Sequence, residues 1–275
     1  MSKFKYGFCA WYTPFPGPFA VEFAGQAGYD GVQINDLGGD AQAFPLMNPK
    51  LQKGFLDAAK KYKMEIQMVN LWTPGLSDMM KCPLDSDRGQ LGQENIKKGI
   101  EACREMGIKN LFIPSIWGGR IDNDYELTQV AIHLSKGSEY AKSLGITFLY
   151  ESFMGYDNTM RLYEKSGEAF RLVYDSLNAS KYGYGDALKE IKKYGVSMIH
   201  TIHIKDALEN FKDAELIGFG IGRVKEFAEA VNAIGYQGWI VNENNYFSGN
   251  LAKSRDPFEM ICKDIETLKI LFPNE

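Results

Sequence analysis

Four residues have the types and spacing to do chemistry together: Glu151, Asp175, His203 and Glu243. Each closes an apolar, strand-like run, in FLYE, LVYD, HTIH and IVNE. Three carboxylates brought to one place repel one another and raise one another's proton affinity. A divalent cation removes that cost. Two Glu, one Asp and one His form an oxygen-rich set with a single imidazole. Such a set suits one ion of Mn2+ first, with Mg2+, Co2+ and Zn2+ as further fits. Taken singly, a Glu after a strand is more often a helix cap or half of a surface ion pair. The succession on four consecutive strand ends is what makes a metal site the better reading. His200 and His203 are an odd number of residues apart on one strand and face opposite ways. His203 is therefore the interior ligand, and His200 packs under a helix. Lys205 falls at the same strand end as His203.

The elements that must position these residues alternate along the chain. Strand-like runs are expected at Lys5–Ala10, Gly31–Asp36, Glu65–Trp72, Asn110–Trp117, Thr147–Glu151, Phe170–Asp175, Met198–Asp206 and Trp239–Glu243. Helical periodicity is expected at Ala20–Gly28, Asn48–Lys63, Leu91–Gly107, Tyr125–Gly145, Thr159–Lys165, Asp186–Tyr194, Val224–Ile234 and Pro257–Leu271. Strands that alternate with helices make a parallel sheet with crossover helices. Eight such pairs in 275 residues predict an α/β fold, a single (β/α)8 TIM barrel over residues 1–275. An open doubly wound sheet is the competing arrangement. In a barrel, the C-terminal strand ends face the active site, where all four candidate ligands fall.

Composition excludes several classes. The chain is 45% hydrophobic and 24% charged, close to the globular average, so whole-chain disorder is excluded. Lys and Arg number 31 against 35 Asp and Glu, a net charge of -4, which gives no basic excess for nucleic acid. The apolar run in the first residues is too short for a secretory signal. No stretch reaches the roughly 20 apolar residues of a membrane helix. The cysteines Cys9, Cys82, Cys103 and Cys262 are scattered, without a CxxC pair, and suit a reducing cytoplasm.

Other features bear on a ligand. Trp11, Tyr12, Trp72, Trp117 and Phe153 lie at or just beyond strand ends. Their faces either pack on the C–H face of a sugar or simply close the barrel top. Asp157 and Arg223 are further polar candidates, and Asn178 follows the sixth strand. The GFGIG run before Arg223 is either a place where backbone approaches a ligand or an ordinary flexible loop. Pro74–Arg88 is the longest irregular stretch, either a lid or a surface excursion.

AGYDGVQI at Ala27–Ile34, IHIKD at Ile202–Asp206 and the run Ile217–Asn244 carry a family pattern. With them the chain resembles, over essentially its whole length, the xylose isomerase-like TIM-barrel superfamily of sugar-phosphate isomerases and epimerases. The resemblance implies Glu151, Asp175, His203 and Glu243 as metal ligands. In the ketose 3-epimerase branch it further implies Glu151 and Glu243 as the acid/base pair on opposite substrate faces. Asp157 and Arg223 match that branch's substrate-binding acid and Arg. Three positions depart from it: Asn178 stands where the branch has His, and Gln33 where it usually has Glu. Asp157 stands where it has Glu.

The activity expected is metal-dependent isomerisation or epimerisation of a keto-sugar or related polyol. One Glu takes the proton alpha to a carbonyl, an enediolate forms with metal stabilisation, and the other Glu returns the proton. The alternative on the same site is a lyase or dehydratase acting on a keto-sugar or inosose, including keto-glycoside cleavage. A non-catalytic sugar-binding barrel is a different class, against which the paired Glu residues argue. A three-zinc endonuclease of the superfamily needs more His than the three present. The expected partner is a small sugar or sugar derivative, contacted by Asp157, Arg223, Asn178, Trp11, Trp72 and Trp117. Neither nucleic acid nor a membrane is expected, and pairing into a homo-oligomer is compatible with the fold.

Overall fold

The computed structural model describes residues 2–13, 15–38, 43–247, 251–253 and 256–274. In chain order the elements are β1 Phe4–Cys9, α1 Pro18–Ala27, β2 Gly31–Asn35, α2 Pro49–Tyr62, β3 Glu65–Asn70, α3 Trp72–Gly75 and α4 Asp87–Met106. There follow β4 Asn110–Pro114, α5 Asp124–Ser143, β5 Thr147–Glu151, α6 Tyr156–Lys165, β6 Arg171–Asp175, α7 Asn178–Lys181 and α8 Ala187–Met198. The last are β7 Ile199–Ile204, β8 Asp206–Ala207, β9 Ala214–Glu215, α9 Val224–Ala233, β10 Gly238–Asn242 and α10 Pro257–Leu271. Eight strands close into a parallel barrel in the order β1-β10-β7-β6-β5-β4-β3-β2, and β8 and β9 form a separate antiparallel pair. The fold is the (β/α)8 barrel that the alternation of elements predicts.

Helix boundaries follow local chemistry. Ser86 Oγ accepts from the Gly89 amide at 3.1 Å and starts α4 four residues before the apolar period begins. Asn123, Asp186 and Asp256 cap α5, α8 and α10 in the same way. Gly107 ends α4 with φ 71, a left-handed conformation that glycine adopts without a Cβ clash. The third and fourth strands stop short of Trp72 and Trp117. Trp72 opens α3, and Trp117 opens a 3-10 turn with φ 53. The seventh strand ends at Ile204 rather than Asp206, because Asp206 pairs into the β8–β9 hairpin.

By density of contacts, residues 1–33, 57–66 and 173–275 form one compact unit, and 34–56 with 67–172 form another. In the first unit, β1 alternates with period two. Phe4, Tyr6 and Phe8 are buried, Phe4 against Phe272 and Phe8 against Tyr29 and Tyr246. Lys5, Gly7 and Cys9 take the other face. Lys5 bonds Glu65 at 2.8 Å, and a Cβ on Gly7 would press on Val241.

In the second unit the Pro74–Arg88 stretch is held down, which decides for the surface excursion over the lid. His133 Nε2 donates to Cys82 O at 2.9 Å, and Gln93 donates to His133 Nδ1 at 2.8 Å. Lys81 donates to Arg120 O and pairs with Glu126, while Met79 and Met80 are buried. No helix among the described residues is long and apolar enough to cross a membrane.

Candidate metal centre

β6 delivers Asp175 from a fully buried end. Its Oδ1 accepts from the Leu177 and Asn178 amides at 2.8 and 2.7 Å, an Asx turn that fixes the carboxylate plane. Its Oδ2 then lies 3.1 Å from Lys205 Nζ. Asn178 thus serves the centre through its backbone, at the first residue of α7.

β7 delivers His203, which is wholly buried. Its Nε2 donates to Gln33 Oε1 on β2 at 2.9 Å, with the amide oriented to accept. That bond sets the tautomer and leaves Nδ1 as the ligand atom. Nδ1 lies 3.5 Å from Glu243 Oε1. His200, on the other face of the strand, bonds Thr201 Oγ1 at 3.0 Å.

Glu243 follows β10 directly, and its amide donates to Ile204 O at 2.9 Å. The asparagines on either side hold it. Asn242 donates to the hydroxyls of Tyr29 and Tyr246, both at 2.7 Å. Asn244 donates to Glu215 O and Asp264 Oδ2, each at 2.8 Å. Tyr246 also donates to Asp264 in a very short bond. Lys205 Nζ binds Glu243 Oε2 at 2.8 Å.

Electrostatics separates the two carboxylates. Burial raises Asp175, with Lys205 opposing and Glu243 adding to the rise. Burial also pushes Glu243 up, but the Lys205 ammonium, foremost among the opposing charges, helps hold the group well below its ordinary value. The surroundings thus favour the charged form of Glu243 more than that of Asp175.

One ligand atom from each of Asp175, His203 and Glu243 lies within 4.8 Å of the other two, and all three residues are buried, as is Glu151 at the end of β5 in the second unit. Two buried carboxylates with one imidazole are donors for a divalent cation, so these residues fit the expected ion. Cys9, His203 and Glu243 make a second convergent group of the same kind.

The remaining candidates are placed differently. Arg223 caps α9 in a left-handed conformation, φ 51, and its guanidinium is turned to Glu226 at 3.5 Å. Asp157 is exposed in the first turn of α6, where its charge suits the helix N-terminus. Trp11 and Tyr12 pack on Cys9, Trp239 and Val241. Trp72 is half-buried, and Trp117 is 72% exposed. Arg161 and Arg120 are paired with Asp124 and Asp122.

Three functional-looking residues gained no role from sequence. Lys205 had only its strand-end position as a signal. Gln33 read as a departure from a pattern, and its bond to His203 spans 170 positions of chain. Asp206 explains the GFGIG run. Its buried carboxylate accepts from the amides of Ala207, Gly218, Gly220 and Gly222 at 2.9, 3.0, 3.0 and 2.7 Å. A Cβ at Gly220 would collide with Ala207 O and with that carboxylate. The glycines let backbone wrap a side chain of the protein itself.

No curated protein matches the chain in sequence. Solved structures do match in shape. D-allulose 3-epimerase from Methylomonas sp., in complex with D-allulose, superposes with a TM-score of 0.74 at 16% identity, covering 98% of each chain. The IOLI protein with a bound zinc atom gives 0.75 at 16% identity, again covering 98% of each. The 3-keto-D-glucoside 4-epimerase YcjR from E. coli gives 0.73 at 16% identity, covering 98% of this chain and 100% of that one. At such identities the likeness establishes the fold. The sequence itself matches the family model described as xylose isomerase-like TIM barrel over residues 21–268, and the chain belongs to that family.

Proposed function

We propose that this protein is a divalent-metal-dependent isomerase or epimerase acting on a keto-sugar or related polyol, with Mn2+ as its ion. The observation that carries the reading is the convergence of one ligand atom each from Asp175, His203 and Glu243 within 4.8 Å, with Glu151 proposed as the fourth ligand. The structural neighbours named as an allulose epimerase and a keto-glucoside epimerase support a sugar as substrate. A bound divalent ion would supply Lewis acidity to a substrate carbonyl and the hydroxyl beside it.

The protein's own residues do the rest. Glu243 accepts the proton from the carbon alpha to the carbonyl. Glu151 donates a proton back. Delivery to the opposite face of the same carbon gives the epimer, and delivery to the neighbouring carbon gives the isomer. Gln33 keeps His203 in one tautomer and one ring orientation. Trp11, Trp72 and Trp117 are proposed to cover the apolar face of the sugar, with Asp157, Asn178 and Arg223 reaching its hydroxyls. The four cysteines are free thiols, in keeping with a cytoplasmic site of action.

The test is metal content per chain, followed by a keto-sugar and inosose screen in deuterated buffer. About one ion per chain and deuterium in an otherwise unchanged sugar skeleton are expected. An unsaturated product would replace this reading by a lyase. Absence of binding after Mn2+ and Co2+ loading would overturn it.

A further inference from the structure

We propose that Cys9, His203 and Glu243 form a thiolate-containing ligand set that captures a soft divalent ion while Lys205 stays paired with Asp175. The set shares two residues with the proposed catalytic centre, but it stands whether or not the chain is an isomerase.

Cys9 reaches this place through strand parity. Phe4, Tyr6 and Phe8 take one face of β1, so Cys9 takes the other, and it is fully buried there. Cys9 and Gln33 are partners in the β1–β2 register. The Cys9 thiol points at Gln33 Oε1 from 3.9 Å, and the same oxygen accepts from His203 Nε2. Thiol and imidazole therefore converge, and their ligand atoms lie within 4.8 Å of each other and of a Glu243 oxygen.

The two Glu243 oxygens are divided between neighbours. Oε2 belongs to Lys205 at 2.8 Å, whereas Oε1 faces His203 Nδ1 at 3.5 Å. Two acceptor atoms facing each other at that distance suit a cation between them. An ion held by Cys9 Sγ, His203 Nδ1 and Glu243 Oε1 leaves the Lys205 contacts intact. An ion held through Asp175 does not. Asp175 Oδ1 is committed to two backbone amides, and Oδ2 is the atom that Lys205 occupies at 3.1 Å. Entry of a hard ion on that side requires Lys205 to leave.

Ligand softness then sorts the ions. Thiolate, imidazole and one carboxylate suit Zn2+, Cd2+ or Co2+, and the oxygen-rich set suits Mn2+ or Mg2+. Only the thiolate binds, so the Cys9 proton is released to solvent as the metal–sulfur bond forms.

The experiment adds Co2+, Zn2+ and Mn2+ separately to the parent chain, Cys9→Ser and Cys9→Ala. Far-ultraviolet circular dichroism and thermal unfolding in chelator establish that each variant is folded. The parent with Co2+ is expected to show a near-ultraviolet sulfur-to-cobalt charge-transfer band, absent from both variants. Zn2+ affinity should fall at least tenfold in the variants, with Mn2+ affinity changed less than twofold. Cobalt bound without that band, or Zn2+ held as tightly by the variants as by the parent, overturns the proposal. Zn2+ bound through Cys9 in a chain that catalyses no proton exchange would leave it standing while the isomerase reading falls. Failure of the parent to bind any of the three ions overturns both.

Discussion

Asp206→Ala is expected to destabilise the chain by about 3 kcal/mol or more. Four amides converge on the carboxylate, the shortest from Gly222 at 2.7 Å. A hydrogen bond to a charged acceptor is worth about 1.5–3 kcal/mol, so the gross interaction is several times that. Two effects reduce the net figure. Burial of the carboxylate outweighs the four amides and raises its proton affinity, so part of their work offsets desolvation. The loop also has an open side, with Phe219 74% exposed, so water reclaims some donors once the side chain is removed. At roughly 2 °C per kcal/mol for a chain of this size, the melting temperature should fall by at least about 6 °C. Asp206→Asn should not rescue it, because its amide sets an NH2 group against one pair of backbone donors. The assay is urea and thermal unfolding of the metal-free protein, with parent and both variants at one pH. Unfolding free energies within about 1 kcal/mol of the parent for both variants would refute the reasoning and place the loop amides in solvent.

Glu243→Gln should lower turnover by about 10²–10⁴-fold and weaken Mn2+ binding, measured by sugar-proton exchange and isothermal titration; near-parental exchange with metal bound would remove Glu243 from the base role. Asp264 titrates at about 6 in the fold because burial raises it, so the folded state binds the proton more tightly than the unfolded chain does. Its contribution is therefore fully present below about pH 4 and is lost as pH rises to about 6, a span of about 3 kcal/mol. Asp264→Asn should flatten that slope in urea titrations between pH 4 and 7, and an unchanged slope would count against it. His133 has the opposite sign: burial lowers it, so its stabilisation is present above about pH 6.5 and declines as pH falls. His133→Ala should cost about 2–4 kcal/mol at pH 7.5 and less at pH 5.5, and equal losses at both would contradict the pin on Cys82 O.

Much of the fold was legible because a barrel repeats its signal. Thr147–Glu151 and Pro257–Leu271 fall where pattern alone puts them. Apolar runs between amphipathic ones recur eight times, and each unit corroborates the others. Local exceptions were not legible. Trp72 and Trp117 continue apolar runs in the sequence, yet each opens a helical turn. Asp206 continues the seventh run, yet its backbone turns into a hairpin and its side chain gathers amides from as far as Gly222.

The sequence by itself determined the eight strands of the barrel, the parity that separates His203 from His200, and the four strand ends where the candidate ligands fall. These are matters of period and residue type, which act over a few positions. Tertiary structure alone decided that Gln33 fixes the tautomer of His203 and that Lys205 spans Asp175 and Glu243. It likewise set a buried thiol on β1 against the same imidazole. Those contacts join residues 30 to 194 positions apart in chain number, and only barrel closure brings them together.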